Sequence, residues 1–224
     1  MADADWAIVF DVDGVLLELT RDEEELFFEP FRLRCDVAKL SRDWNSYKIR
    51  NDEDIIKELV ERHDLHPSQV TAITAEYLNL LEQRLETRAM LSQTIAGAAQ
   101  LLEKFKHRAR LGIATANFRR AAELRLRQAG LWNHVSDLAH GADGGGHKST
   151  ILARAIKSSG LSPQRIIFIG DNVNDVVAGL ENKVHFIGFS TSAARRDKLG
   201  AAGARILSAD HAQTENLLET LLNP

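Results

Sequence analysis

The sequence predicts an α/β fold, a doubly wound parallel sheet core interrupted by an inserted α-helical cap domain. Short apolar runs rich in β-branched residues recur along the chain, and each is followed by a helical pattern. Runs that are apolar throughout suit strands covered on both faces, as in a parallel sheet. Their alternation with helices points to helices packed on both sides of that sheet. The alternation breaks once, between Leu17 and Ser92, where the pattern is mostly helical.

Ala7-Ile8-Val9-Phe10 reads as the first strand and Leu111-Gly112-Ile113-Ala114 as the second. Ile166-Ile167-Phe168-Ile169, Val184-His185-Phe186-Ile187 and Ala204-Arg205-Ile206-Leu207 follow. Helices are expected over residues 95–106, 118–129, 149–158 and 175–182. In the insertion, Asn51 suits an N-cap before Asp52-Glu53-Asp54, and Ile55, Ile56, Leu59 and Val60 form an apolar stripe. Pro67-Ser68 opens a second long helix through Tyr77, Leu81 and Leu85. The spacing divides the chain into a core of residues 1–16 and 93–224 and a helical cap of residues 17–92.

Composition excludes several classes. The 224 residues carry a net charge of −4 with scattered basic groups, so no nucleic-acid surface is expected. Arg119-Arg120 and Arg195-Arg196 read as solvated helix faces. The single cysteine, Cys35, forms no internal disulfide or thiolate metal site and fits a reducing compartment. Met1 to Trp6 is short and acidic, unlike a signal peptide, and the apolar runs are too short to span a membrane. The expected location is the cytoplasm, with no membrane partner. Nothing in the sequence dictates an oligomeric state.

In an open α/β sheet, ligands bind beyond the carboxyl ends of the strands. The chemically capable clusters fall there. Asp11 and Asp13 close the first strand, and aspartate is a poor strand residue that needs compensation in apolar surroundings. A divalent cation supplies it, since Mg²⁺ prefers one or two carboxylates with phosphate oxygens and water. Gly14 lets the backbone turn and approach a ligand. The same residues also read as a plain Asp-x-Asp-Gly turn.

Gly170-Asp171 closes the third strand, and Asp175 follows four residues later. Asp171 could reach the same metal, while Asp175 could hold a lysine or a metal-bound water from behind, or simply favour a helix N-terminus. Thr115-Ala116-Asn117 offers a hydroxyl and backbone N–H groups to an anion, or caps the helix beginning at Phe118. Lys148, after Gly144-Gly145-Gly146-His147, could neutralise a phosphate or stand in solvent. The triple glycine lacks the spacing of a nucleotide P-loop.

Together these elements resemble the haloacid dehalogenase superfamily, whose phosphatases carry an Asp-x-Asp-Gly strand end, a Ser or Thr strand end, a lysine before a helix, and a Gly-Asp-x-x-x-Asp strand end. Here the order is Asp11/Asp13, Thr115, Lys148, Asp171/Asp175. The resemblance covers roughly residues 7–16 and 95–207, and the insertion matches the helical-cap subgroup by position and length. His147-Lys148-Ser149 departs from the Gly-Lys-Pro found in many relatives.

The resemblance implies a Rossmann-like core and a Mg²⁺-dependent phosphatase acting on a small phosphorylated metabolite. Asp11 would be the nucleophile that forms an aspartyl-phosphate, and Asp13 the general acid and base. Asp11, the Asp13 backbone carbonyl and Asp171 would hold Mg²⁺, with Thr115 and Lys148 on the phosphoryl oxygens. Asp13 favours phosphoryl transfer over dehalogenation, because halide leaves unprotonated. In the cap, Arg42, Trp44, Tyr47, Arg50 and Asn51 are substrate candidates, with packing or surface exposure as the alternative for each. Arg42 or Arg50 could bind a second anion, which suits phosphoglycolate; sugar phosphates fit as well. A phosphosugar mutase and a non-catalytic phospho-ligand binding protein are the alternatives.

Overall fold

Strand β1 (Ala7–Phe10) has no exposed residue, which explains its uninterrupted apolar sequence: both of its faces pack against side chains. In the computed structural model, which describes residues 5–36 and 40–223, β1 pairs in parallel with β2 (Arg110–Ala114) on one edge and β4 (Ile166–Gly170) on the other. With β3 (Ala139–His140), β5 (His185–Phe189) and β6 (Ile206–Ser208) they form a six-stranded parallel sheet in the order β3-β2-β1-β4-β5-β6. The chain order reverses on either side of β1, so the carboxyl ends of β1, β2 and β4 meet at the topological switch point.

The strands lie within two or three residues of their expected bounds. β3 is the exception: no strand is expected there, because two residues are too few to show a period.

The helices are α1 (Arg21–Phe28), α2 (Asp52–Arg62), α3 (Gln69–Glu86), α4 (Ala98–Phe105), α5 (Arg119–Gln128), α6 (Trp132–Val135), α7 (Lys148–Ser159), α8 (Val173–Glu181), α9 (Ala193–Ala201) and α10 (His211–Leu222). Three starts differ from expectation in informative ways. α4 begins after Gly97 rather than at Ile95. α7 begins at Lys148 itself rather than at Ser149. α8 begins at Val173 because Asn172 caps it in a reciprocal box with Asp175, so Asp175 lies inside the first turn instead of opening the helix.

Three buried clusters organise the packing. One lies on the face of the sheet covered by α4, α5, α6 and α10, and includes Ile8, Phe10, Phe105 and Leu126. Another, on the opposite face, includes Val9, Ile151, Phe168 and Val176. The third belongs to α1–α3, with Phe27, Phe28, Phe31, Ile56 and Leu59, but also takes in Phe118 and Ala121 at the start of α5. The inserted helices are thus seated on α5 through shared apolar burial. Polar contacts reinforce the seat: Gln128 donates to the carbonyls of Leu85 (2.8 Å) and Met90 (3.0 Å).

Among the described residues no helix is long and apolar enough to cross a membrane. Buried His211 donates from Nε2 to the Val15 carbonyl (2.8 Å) and stacks on Phe189, pinning the loop after β1 to α10.

Candidate active site

The first strand does not stop at its last paired residue. Asp11 N–H still donates to the Ile169 carbonyl of β4 (2.8 Å), so the carboxylate leaves the sheet in a fixed direction and is buried. The chain then folds tightly back: Gly14 N–H donates to Leu17 O (2.8 Å), with Gly14 at φ +75°. A Cβ on Gly14 would lie 2.3 Å from Asp171 Oδ2. The glycine therefore makes room for the carboxylate of the neighbouring strand as well as for the turn.

Asp11, Asp171 and Asp175 each offer an oxygen within 4.8 Å of the others, and all three are buried. Lys148 lies among them, its Nζ 2.8 Å from Asp11 Oδ1 and 2.9 Å from Asp175 Oδ1. Burial alone would lower the Lys148 ammonium, but Asp11 and Asp175 outweigh it and hold it above its ordinary range. Burial pushes Asp11 well up; Lys148 opposes this, while Asp175 and Asp171 add to it. Asp171 is likewise raised to about 7, by burial and then by Asp175, with Arg195 and Lys148 opposing.

An ion pair ordinarily lowers its acid, yet here lysine and acid shift the same way. The acids are raised first by burial and then by one another, while the lysine is raised by the carboxylates around it. A group of hard oxygen donors with surplus negative charge fits a divalent cation such as Mg²⁺. Arg195 Nη1 also reaches Asp171 Oδ2 (2.6 Å), so Arg195 is not the purely solvated residue that the sequence suggested; Arg196 caps the Ser190 carbonyl at 2.6 Å.

These acids open into a cavity of about 450 Å³ lined by both core and insertion. Asp13, Gly14, Thr115, Ala116, Asn117 and Lys148 line it from the core, and Trp44, Arg50, Asn51 and Asp52 from the insertion. Thr115 and Asn117 do not cap α5. Thr115 Oγ1 accepts from Asn117 N–H (3.2 Å), and the first N–H groups of α5 go to distant acids: Phe118 to Asp52 Oδ2 (2.8 Å) and Arg119 to Asp143 Oδ2 (2.7 Å). The Thr115 hydroxyl, which donates to Asn117 Oδ1 (3.2 Å), lies at the cavity wall.

The triple glycine is occupied rather than empty. Gly144, Gly145 and Gly146 all have positive φ, and the acidic start of α2 takes two of their N–H groups: Glu53 Oε2 accepts from Gly144 (2.6 Å) and Asp54 Oδ2 from Gly146 (2.7 Å), while Gly145 donates to Ala142 O (2.7 Å). The Asn51 amide donates to Gly146 O (2.8 Å). The loop leading to Lys148 is a docking point for the insertion.

The insertion candidates separate cleanly. Arg50 lines the cavity and reaches Asn45 Oδ1 (3.0 Å) and Asn172 Oδ1 (3.5 Å). Trp44 lines it with its indole N–H on Glu24 (2.8 Å). Arg42 does not line it; it pairs with Glu25 (2.7 Å) and lies over the Phe28 ring. Tyr47 is buried in the insertion's apolar cluster, with its hydroxyl on Ser41 O (2.7 Å).

Besides Arg195, Asp52 and Arg125 carry no signal of the site in the sequence. Asp52, read there only as a helix-opening acid, is buried in the cavity wall and pushed up to about 7, chiefly by burial. Arg125 is 3% exposed and lies 2.7 Å from Asp13 Oδ1 and 2.6 Å from Glu23 Oε1. Nothing local distinguishes either from an ordinary helix charge.

Comparison with known proteins bears on the family and the fold. A family model described as haloacid dehalogenase-like hydrolase matches residues 7–182. No curated protein matched the chain by sequence. Among solved structures, CbbY from Rhodobacter sphaeroides in complex with phosphate superposes with a TM-score of 0.73 at 22% identity, over 92% of this chain and 94% of that one. A predicted phosphoglycolate phosphatase from Haemophilus somnus 129pt gives 0.72 at 15% identity, over 97% and 99%. A hydrolase from Pseudomonas syringae gives 0.71 at 19%, over 96% and 98%. These likenesses concern the fold, while the family model spans more than half of the sequence. The chain belongs to the haloacid dehalogenase-like hydrolase family.

Proposed function

We propose that this hydrolase is a Mg²⁺-dependent phosphatase that cleaves a small phosphate monoester through an aspartyl-phosphate on Asp11. The observation that carries the reading is the Asp11 carboxylate, buried at a strand end, 2.8 Å from the Lys148 ammonium and beside Asp171, with Asp13 on the same cavity. Asp11 attacks phosphorus in line. Asp13 gives its proton to the departing alcohol as the P–O bond breaks, then takes one from the water that hydrolyses the acyl phosphate. Lys148 and Thr115 hold the non-bridging oxygens, the lysine supplying most of the charge. Asp11, the Asp13 backbone carbonyl and Asp171 would hold Mg²⁺, which would neutralise developing negative charge. Asp175 keeps Lys148 in place from behind.

Residues 17–92 act in this reading as a cap that supplies specificity. Arg50, beside Asn172 in the cavity, would bind a second anionic group on the substrate. Phosphoglycolate and a sugar bisphosphate both carry one, and the R. sphaeroides relative has been solved with Xylulose-(1,5)bisphosphate. The lone Cys35 supports a cytoplasmic enzyme. A panel of small phosphate esters, with Mg²⁺ and with chelator, tests the reading. Expected is phosphate release that chelator abolishes; no release from any ester contradicts it, and recovery of an isomeric ester instead of free phosphate makes the protein a mutase.

A further inference from the structure

Two cationic side chains are buried among the described residues, Lys148 and Arg125. The function proposed above uses only the first. Arg125 rises from α5 into a set of four acceptors on three segments. Nε donates to Glu23 Oε1 (2.6 Å) on α1, Nη1 to Asn117 Oδ1 (3.2 Å), and Nη2 to the Glu18 carbonyl (3.3 Å), while Nη2 also lies 2.7 Å from Asp13 Oδ1. A planar fork of five donors suits such a set, where a lysine would meet only part of it.

The contacts are unequal. Those to Glu23, Asn117 and Glu18 have hydrogen-bond geometry, whereas Asp13 Oδ1 is close but receives no aligned hydrogen bond. The guanidinium is therefore anchored by the first three, and its charge holds the Asp13 carboxylate at 2.7 Å. An acid that must exchange a proton with a leaving group needs its carboxyl aimed but not tied up.

We propose that Arg125 is a positioning residue for Asp13, held in place by Glu23 and Asn117, so that proton delivery to the leaving group depends on α1 of the insertion being docked on the core. The proposal rests on Asp13 being the general acid. Its difference from a simple bridge between insertion and core is chemical: a bridge would affect every substrate alike, whereas positioning of the acid matters in proportion to how badly the leaving group needs a proton. Nitrophenolate leaves unprotonated; an alkoxide does not.

The test compares kcat/KM for p-nitrophenyl phosphate and for an alkyl phosphate that the wild type hydrolyses, in Arg125→Lys, Glu23→Gln and Asp13→Asn. This constant covers the steps up to alcohol departure, so it isolates the acid role from the later attack of water. Arg125→Lys is expected to lose roughly 10²-fold on the alkyl ester and stay within about threefold on the aryl ester. Glu23→Gln should lose roughly tenfold, with the same selectivity. Equal losses on both esters, or none on either, overturn the proposal. If Arg125→Lys does not fold, the ratio for Glu23→Gln decides. Asp13→Asn separates the two readings: if it shows no selectivity between the esters, the assignment of Asp13 has failed, and if it alone is selective, the assignment stands and the role of Arg125 has failed.

Discussion

The Lys148 ammonium lies 2.8 Å from the Asp11 carboxylate, joining the first turn of α7 to the end of β1 across the carboxyl edge of the sheet. Neither residue is informative alone. Together with Asp171 and Asp175 they form a buried group whose negative charge exceeds its positive charge, and that imbalance fits a divalent metal.

Asp175 holds this group together through both of its oxygens. Oδ1 is 2.9 Å from Lys148, and Oδ2 accepts the Asn172 N–H (3.0 Å) in the cap of α8. Asp175→Ala is expected to cost about 1 kcal/mol through the lost cap and to weaken Mg²⁺ half-saturation about 10- to 100-fold by releasing Lys148. Asp175→Asn, which keeps an oxygen for the cap, should recover most of the stability but not the metal response. Thermal melts and Mg²⁺ titrations of activity read the two effects, and an unchanged half-saturation in Asp175→Ala would count against the arrangement.

Gly14 admits no side chain. Its φ of +75° strains an alanine by about 1 kcal/mol, and the new Cβ would sit 2.3 Å from Asp171 Oδ2. Gly14→Ala should displace Asp171 and lower kcat/KM by more than about tenfold while lowering Tm by several degrees. Wild-type Mg²⁺ dependence in this variant would show that Asp171 tolerates displacement.

Asp52 gives the protein a pH-dependent stability of unusual sign. An aspartate in the unfolded chain titrates near 3.9; in the fold burial raises Asp52 to about 7. Between about pH 4 and 7 the native state therefore holds this proton when the unfolded chain has released it, and stability from this group falls as pH rises through that window. Above about 7 the loss is complete and constant. Asp52→Asn keeps an oxygen for the Phe118 N–H and removes the charge. Its Tm should decline less than that of wild type from pH 4 to 7, by an amount on the order of a few kcal/mol in stability. Parallel Tm profiles would refute the assignment.

The main strands and strand-end acids were legible because each announces itself locally. Four apolar residues followed by Asp11, or by Gly170-Asp171, describe a buried strand meeting a site. What escaped the sequence depends on partners far along the chain. Arg125 looks like one more basic residue of an amphipathic helix, and Glu23, which makes its burial tolerable, lies 102 residues away. Asp52 reads as a helix-opening acid, yet its carboxylate accepts the N–H of Phe118, 66 residues on, and so supplies the capping that Thr115 and Asn117 would otherwise give. Arg42 and Arg50 are indistinguishable in composition. Only packing shows that one lies over Phe28 while the other faces the cavity.

Trapping the intermediate shows whether Asp11 carries the phosphoryl group. Wild-type protein is acid-quenched during turnover of a labelled phosphate ester in Mg²⁺, and the label is located by peptide mapping. Expected is an acid-stable, hydroxylamine-labile acyl phosphate on the peptide containing Asp11, absent from a folded Asp11→Asn variant that has lost turnover. Label on another residue, or turnover at the wild-type rate in Asp11→Asn, would contradict it.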